Sequence, residues 1–197
     1  SGIDFINALE DDPSGVRNVL SYQHYYNGSG VAVGDINNDG LQDVFFAANE
    51  GPNKLYINKG DMKFEDITAS ADINPPNKEW AVGAVMADVN ADGWLDIYIC
   101  QAGFGLYPDR KDRENLLLIN NQDNTFTEKA EEYGINDANE STSASFFDYD
   151  NDGDLDLYVL NESKYVLMTY KDVFEDLKDP EKLAQASGNL FRNDGGK

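Results

Sequence analysis

One nine-residue pattern of acidic residues occurs three times in the chain and constrains its fold more than any other feature. The pattern is Asp-x-(Asp or Asn)-x-Asp-Gly-x-x-Asp, and its copies begin at Asp35, Asp88 and Asp148. The copies are therefore 53 and 60 residues apart, a period that suits one blade of a β-propeller with insertions. Apolar runs flank each copy, such as VAV before the first and VFFAA after it. We expect each acidic loop to connect two adjacent strands.

The segments that follow each loop are short and rich in β-branched and aromatic residues, which is typical of strands. Each unit is expected to have four strands, of which the first enters the acidic loop and the second leaves it. We therefore predict an all-β chain with about three four-stranded propeller blades, whose acidic loops lie in the first hairpin of each blade. The predicted blades are residues 30–81, 82–141 and 142–197.

The third unit differs from the other two because it has an insertion over 161–188 and ends before its expected fourth strand. Within the insertion, DVFEDLKDPEKLAQ predicts a short helix. Three blades do not close a ring, so we expect the chain to be a fragment of a seven-bladed propeller whose further blades contact this segment. Residues 1–29 match no blade and are predicted to lead into the first blade or to close the ring.

The acidic loops have two interpretations. A polar hairpin turn would explain the Asn-Asp-Gly sequences, but it would not explain oxygen donors at positions 1, 3, 5 and 9 in every copy. Two carboxylates about 4 Å apart repel by roughly 4 kcal/mol at an effective dielectric constant of ~20, and a divalent cation removes this cost. We therefore predict a metal site in each loop.

The predicted ligands are all oxygen atoms, which favours Ca²⁺ over zinc or copper, and over Mg²⁺ because Mg²⁺ requires a tight octahedron. Glycine at position 6 permits the sharp turn. Positions 1, 3, 5 and 9 are predicted to bind the ion through their side chains, and position 7 through its backbone carbonyl. The predicted ligands are Asp35, Asn37, Asp39, Leu41 and Asp43 in the first loop, Asp88, Asn90, Asp92, Trp94 and Asp96 in the second, and Asp148, Asp150, Asp152, Asp154 and Asp156 in the third. An EF-hand is excluded, because it needs flanking helices and a glutamate at position 12, where this chain has Phe46, Ile99 and Val159.

The composition excludes several classes of partner. The 37 acidic and 15 basic residues give a formal net charge of -22, which argues against nucleic acids and anionic membranes. The single cysteine, Cys100, rules out an internal disulfide and is expected to be a buried strand thiol. No apolar run reaches the length of about 18 residues that a membrane span needs.

The chain resembles the FG-GAP/VCBS repeats of integrin-α-type β-propellers. The strings that carry the resemblance are YNGSGVAVGDINNDGLQDVFF, NKLYINKGDMKFEDIT and FFDYDNDGDLDLYVLN. It is also similar to the secreted bacterial VCBS-repeat proteins of the cartilage-acidic-protein type, although it has no ASPIC/UnbV segment. This resemblance implies an extracellular, calcium-stabilised propeller that binds a ligand or mediates adhesion, usually without catalysis.

We expect the metal loops to share one face. The longer connections, from the second to the third strand of a blade and from one blade to the next, are then expected on the other face, where binding residues usually lie. The aromatic residues there are candidates for contacts with a glycan or a protein, although they could instead seal the gaps between blades: Trp80, Phe104, Tyr107, Tyr133 and Tyr165. We expect a recognition module at the cell surface or outside the cell, including an outer-membrane-associated or periplasmic location, since ordinary extracellular calcium sites would be empty in a cytosol.

The sequence is compatible with two other functions. The chain could be the propeller of a polysaccharide-processing enzyme or of its glycan-binding complex, since propellers also support catalysis. Against this, the only histidine, His24, lies in the aromatic run YQHYY, where packing is a simpler role than that of a base. A calcium buffer is disfavoured because it would gain nothing from four strands per site.

Overall fold

The computed structural model describes residues 1–12, 15–22, 24–76, 80–103, 109–162, 174, 178–179 and 188–195. These residues form eleven strands, one helical turn α1 (Thr68–Ala71) and one 3₁₀ turn (Arg110–Arg113). The strands are β1 (Val31–Gly34), β2 (Asp43–Phe46), β3 (Lys54–Asn58), β4 (Phe64–Asp66), β5 (Ala81–Ala87), β6 (Asp96–Gln101), β7 (Leu116–Asn120), β8 (Phe126–Glu128), β9 (Ser141–Phe147), β10 (Asp156–Asn161) and β11 (Asn189–Phe191).

The strands form three antiparallel sheets in chain order, as expected for propeller blades. The first sheet is β1-β2-β3-β4 and the second is β5-β6-β7-β8, while the described part of the third has the order β9-β10-β11. In each sheet the innermost hairpin closes on the acidic loop, with cross-strand pairs Gly34↔Asp43, Ala87↔Asp96 and Phe147↔Asp156. The predicted fold class is confirmed. The predicted helix within 161–188 falls largely outside the described residues.

The first two sheets pack face to face through a continuous apolar core. Phe45 and Leu55 of the first sheet are fully buried against Ile97 and Ile99 of the second, and Phe126 of the outermost strand β8 joins the same cluster. Burial of side chains of this size stabilises a fold by about 1.5–3 kcal/mol each. The interface between blades is therefore the main hydrophobic core of the protein.

A second core lies between the second and third sheets. It contains Tyr98 and Leu117 on one side and Leu157 and Val159 on the other, all of them buried. Every residue of β6 is buried because both faces of the second sheet are covered. This two-sided burial explains why the run DIYICQ lacks the alternation of a half-exposed strand.

The innermost strands of adjacent blades approach so closely that glycine is needed. A Cβ atom on Gly30 would lie 2.7 Å from the Cα atom of Gly83, and one on Gly83 would lie 2.7 Å from the carbonyl oxygen of Thr142. Both distances are below van der Waals contact with backbone atoms, which cannot move away independently. These glycines set the spacing of the blades near the propeller axis.

The N-terminal segment lies across the outer face of the first sheet. Phe5 stacks on Phe46 with ring centroids 4.8 Å apart, and the hydroxyl of Tyr56 donates to Asp4 at 2.7 Å. At the outer strand, the Phe64 N–H donates to the carbonyl of Ser1 at 2.7 Å. Residues 1–12 add no strand to this sheet, and their role in closing a ring stays a prediction.

Trp80 lies in the core rather than on an exposed loop face. Its side chain is completely buried, and its ring lies 5.1 Å from that of Tyr25 and 5.6 Å from that of Tyr22. Its backbone N–H donates to the carbonyl of Asn49, and its carbonyl accepts from Ala102, which joins the first and second sheets. Trp80 thus fills the gap between blades, which is the second of its two predicted roles, and it is not available to stack on a ligand.

Candidate metal centres

The three acidic loops share one hydrogen-bonded frame. In the first loop, the two carboxylate oxygens of Asp35 accept the backbone N–H groups of Asp39 at 3.0 Å and Gly40 at 2.7 Å. Asp88 makes the same pair of bonds in the second loop, and Asp148 makes it in the third. The aspartate at position 1 therefore folds the loop back on itself in all three copies.

The aspartate at position 9 connects the loop to the third strand of its blade. In the second loop, Asp96 is fully buried and accepts the N–H of Val89 at 3.0 Å and the N–H of Asn120 at 2.8 Å. Asp43 and Asp156 make the equivalent bonds, with the asparagine that ends the third strand in the first blade and with the asparagine two residues after the third strand in the third blade. The three asparagines are Asn58, Asn120 and Asn193, whose role was not predicted; their signal was an asparagine at that point in every unit.

The aspartate at position 5 is turned into the loop. An oxygen of Asp39 accepts the N–H of Leu41 at 2.9 Å, and its other oxygen accepts the side-chain amide of Asn37 at 3.0 Å. Asp92 and Asp152 likewise accept the N–H at position 7, from Trp94 and Asp154. These bonds fix the carboxylate at position 5 and the backbone at position 7. Metal coordination by either position stays a prediction.

The third loop brings three carboxylates to one point. Asp148, Asp150 and Asp156 each place an oxygen within 4.8 Å of the others. Oxygen ligands lie about 2.3–2.6 Å from Ca²⁺, so two of them can be at most about 5 Å apart across the ion. The spacing therefore fits one calcium ion, and the all-oxygen donor set fits the same ion.

The first two loops offer a different donor set at the same positions. Asn37 and Asn90 replace the carboxylate of position 3, so positions 1 and 9 supply two carboxylates and the amide oxygen is the third donor. Accordingly, within the described ranges, the third loop holds the only group of three carboxylate, imidazole or thiolate donors at that spacing. The third loop has the most negative charge of the three, because it has an aspartate at positions 3 and 7 where the other two loops have uncharged residues.

Burial and crowding destabilise the negative charge in these loops. Burial is the largest cause of a raised pKa at both Asp43 and Asp96, and the pKa of Asp96 rises to about 6. The backbone N–H groups that donate to these two carboxylates act in the opposite direction and lower each pKa. Loss of solvent, followed by the charges of Asp152 and Asp156, raises the pKa of Asp150. A bound divalent cation would offset this penalty by pairing with the charged carboxylates.

Two positions in each loop adopt the left-handed backbone conformation. Position 6 is the predicted glycine, with φ of 86° at Gly40 and 87° at Gly93. Position 4 was not predicted to be special, yet its φ is 57° at Asn38, 56° at Ala91 and 64° at Asn151. Asparagine tolerates this conformation better than alanine, so Ala91 is the strained member of the set.

The predicted ligand face is described only in part. Tyr133 is half-buried between the second and third sheets and lines a groove there, next to Ile135 and Phe191. The predicted residues Phe104, Tyr107 and Tyr165 lie outside the described residues. Of the aromatic set, Trp80 and Tyr133 are therefore placed between blades.

His24 lies in a cavity of about 370 Å³ together with Tyr22 and Glu162. Its Nε2 atom pairs with the Glu162 carboxylate, its Nδ1 atom lies 2.8 Å from the side-chain amide of Asn27, and its ring meets that of Tyr22 edge-on. The expected aromatic contact is present. The contact with Glu162 also ties the segment before β1 to the residue after β10.

The three sheets, their shared cores and the acidic loop in each inner hairpin define a set of β-propeller blades. The model of the FG-GAP-like repeat matches residues 35–99 and 106–159, and the chain belongs to this family. The family assignment made from the sequence motifs is confirmed. Within the described residues, no helix is long and apolar enough to cross a membrane.

The chain is also similar to cartilage acidic protein 1 from three vertebrates. It is 39% identical to the Xenopus tropicalis protein over 84 residues, 41% identical to the Homo sapiens protein over 73 residues, and 40% identical to the Mus musculus protein over 73 residues. These matches cover 43%, 37% and 37% of this chain but only 13%, 11% and 11% of the relatives. The similarity therefore concerns a small part of much longer proteins.

Proposed function

We propose that the three acidic loops bind Ca²⁺ and that the bound ions stabilise the blades. The observation that carries this proposal is the group of Asp148, Asp150 and Asp156 oxygens within 4.8 Å, set in a frame of hydrogen bonds that the other two loops repeat. The ions would be structural, because they would lie at the hairpin ends rather than in a cleft between converging catalytic groups.

The bound ion would connect three strands of its blade. The loop itself joins the first and second strands, and the closing aspartate accepts an N–H from the end of the third strand, as Asp43 does from Asn58 at 2.8 Å. The bound ion would neutralise this aspartate and the neighbouring carboxylates, and so remove the electrostatic repulsion between them. Calcium would therefore raise the free energy of unfolding of the whole blade.

We further propose that the protein acts outside the cell as a non-catalytic recognition or adhesion module. Membership of the FG-GAP-like repeat family and similarity to cartilage acidic protein 1 support this role. The ligand would be a protein or a glycan bound on the face opposite the metal loops. The alternative is the propeller of a polysaccharide-processing enzyme. However, among the described residues, every carboxyl group with a raised pKa lies in one of the acidic loops, where it is a predicted metal ligand and not a candidate acid or base. These groups are Asp43, Asp96 and Asp150.

Calcium binding can be tested with terbium luminescence, because Trp94 lies at position 7 of the second loop and can transfer energy to an ion bound there. We expect excitation of tryptophan to produce terbium emission that calcium displaces. The Trp94→Phe variant should lose the tryptophan-excited emission from the second site but keep the calcium stoichiometry, which calorimetry should give as three ions. Calorimetry that detects no calcium binding would refute the proposal.

The stabilising role can be tested by thermal unfolding in calcium and in EGTA. Each site contributes about 2.7 kcal/mol when calcium is at a hundredfold excess over Kd. We expect EGTA to lower the melting temperature (Tm) by well over ~5 °C for a chain of this size and calcium to restore it. An unchanged Tm would contradict a structural role for the metal.

The biological role can be tested separately from calcium binding. A glycan array and a binding screen against extracellular matrix proteins should detect a ligand without release of any product. Turnover of a polysaccharide that persists without calcium would instead support the enzymatic alternative.

A further inference from the structure

Asn120 lies outside the acidic loops but forms hydrogen bonds with two of them. It is the last residue of β7 and is 3% exposed. Its backbone N–H donates to Asp96, the closing aspartate of the second loop, at 2.8 Å. Its side-chain amide donates to the carbonyl of Ile36, position 2 of the first loop, at 2.8 Å, although Ile36 lies 84 residues earlier in the chain. One residue therefore bonds to the acidic loops of two adjacent blades.

These bonds belong to a network that reaches the closing aspartate of the first loop. The N–H of Ile36 donates to Asp43 at 3.0 Å. Together with the two bonds of Asn120, this gives three successive hydrogen bonds between the two closing aspartates. All four residues of the network, Asp96 included, are at most 3% exposed. Because water does not replace a lost partner at a buried site, an unpaired group there is costly. The network thus holds both closing aspartates, and Asn120 joins its two halves.

The side chain of Asn120 is held in one orientation because both polar atoms of its amide are bonded. Besides its bond to Ile36, the Nδ2 atom donates to the carbonyl of Leu95 at 3.1 Å, and the Oδ1 atom accepts the N–H of Gln122 at 2.8 Å. Leu95 directly precedes Asp96. The amide therefore holds the second loop next to its closing aspartate, and it holds the first loop at the residue that donates to Asp43. A side chain without two N–H donors cannot make both contacts.

A second contact joins the same two loops at the surface. The side-chain amide of Asn38, at position 4 of the first loop, donates to the carbonyl of Gly93 in the second loop at 3.0 Å. Position 4 of the second loop is Ala91, which has no side-chain donor and so cannot make the same contact with the third loop. In the part of the chain that the structure describes, the hydrogen bonds of Asn120 do not reach the third loop either. The first and second loops are therefore connected as a pair.

We propose that Asn120 is a positioning residue for two calcium sites at once, and that its side chain sets the calcium affinity of both the first and the second loop. This inference rests on the proposed binding of calcium by the loops. Asn120 is not itself a ligand. Its amide fixes the backbone at Ile36 and Leu95, so that less order has to be gained when an ion binds the closing aspartates. Loss of a residue that orients a metal ligand typically weakens metal binding by about 10–100-fold.

The test needs a probe that reports each loop separately. Trp94 stands at position 7 of the second loop, so tryptophan-excited terbium emission reports that loop. In the Trp94→Phe background, Leu41→Trp and Asp154→Trp place the same probe at position 7 of the first and the third loop. In each of these three proteins, the calcium concentration that displaces terbium gives the relative calcium affinity of one loop.

Asn120→Ala is introduced into each of the three proteins. This substitution removes the side-chain amide but keeps the backbone N–H that donates to Asp96. Asn121→Ala is the matched control, because it is the same substitution at the next residue, which is exposed and whose amide donates to Thr125 outside the acidic loops.

We expect Asn120→Ala to weaken calcium binding by about tenfold or more in the first and the second loop, and by less than about twofold in the third. Asn121→Ala should leave all three affinities unchanged. A lower Tm with unchanged affinities, an equal loss in all three loops, or a loss in the second loop alone would each overturn the proposal. If Asn120→Ala does not fold, Asn120→Thr decides. Threonine is similar in size but has a single donor, and it should give the same pattern with a loss of at least about threefold.

Calorimetry with calcium separates this inference from the proposed function on which it rests. A parent protein that binds no calcium would refute both. A parent that binds three ions, with the same affinities in the Asn120→Ala variant, would refute only the role of Asn120.

Discussion

Replacing the closing aspartate of the second loop, Asp96→Asn, should separate the two roles of that residue. Asp96 is completely buried, and its two oxygens accept the N–H groups of Val89 and Asn120. Asparagine keeps the shape but can accept only one of these bonds, and it removes the negative charge that would close the calcium site. The loss should therefore depend strongly on calcium.

In EGTA the two effects of the substitution oppose each other. An unmade buried hydrogen bond costs about 1–3 kcal/mol. Conversely, burial raises the pKa of Asp96 from 3.8 to about 6, so removing the charge relieves a penalty of the order of 3 kcal/mol. We therefore expect the free energies of unfolding of variant and parent to agree within about 2 kcal/mol when calcium is absent.

In calcium the variant should lose the contribution of one site. At a hundredfold excess over Kd this contribution is about 2.7 kcal/mol, or roughly 5–11 °C in Tm for a domain of about 200 residues. The other two loops should keep theirs, so the calcium-dependent gain in Tm should fall by about one third. The equivalent substitutions Asp43→Asn and Asp156→Asn should behave in the same way.

The assay is differential scanning calorimetry of each variant in calcium and in EGTA, with calcium titrations to count the sites. Asp61→Asn is the matched control, because it makes the same charge change at an exposed turn residue whose φ of 50° asparagine tolerates. If Asp96→Asn keeps the full calcium-dependent gain, Asp96 is not a ligand. If the variant loses the same amount of stability in both buffers, Asp96 is only a hydrogen-bond acceptor.

Three further predictions follow from burial and backbone geometry. Cys100 is buried, which raises its pKa to about 12, so a thiol reagent at pH 8 should label it only after unfolding. Phe126→Ala should lower the free energy of unfolding by about 3–5 kcal/mol in urea melts, whereas Thr127→Ser on the exposed face of the same strand should cost less than about 1 kcal/mol. Ala91→Asn should stabilise the protein by about 1 kcal/mol, since Ala91 has a φ of 56° where the other two loops have asparagine; equal or lower stability would contradict this.

The acidic loops were predictable because their geometry is local. The donors at positions 1, 3, 5 and 9 fall within nine residues, and the bonds from Asp35 to Asp39 and Gly40 span only four and five positions. Position 12 of each loop lies inside a strand, β2, β6 or β10, which agrees with the exclusion of an EF-hand from the sequence. The strands around the loops followed from their β-branched and aromatic composition.

Other features of the site were not predictable from the loop motif. One of the two hydrogen bonds that hold Asp96 comes from Asn120, which is 24 residues away and belongs to another strand. Trp80 lies in the long connection between the first two blades, which predicted a position on the ligand face. However, contacts with Tyr22 and Tyr25, more than fifty residues earlier, bury it. The left-handed backbone at Ala91 could not be recognised from alanine itself.

The sequence alone determined the repeat, the strand pairs around each loop and the oxygen donors, because these depend on residues within one hairpin. Only the tertiary structure decided which aromatic side chains fill the gaps between blades and how closely Gly30 approaches Gly83. These properties arise where two sheets meet. The residues that determine them are about 50 positions apart in the chain, and no periodic pattern within a blade specifies which of them will touch.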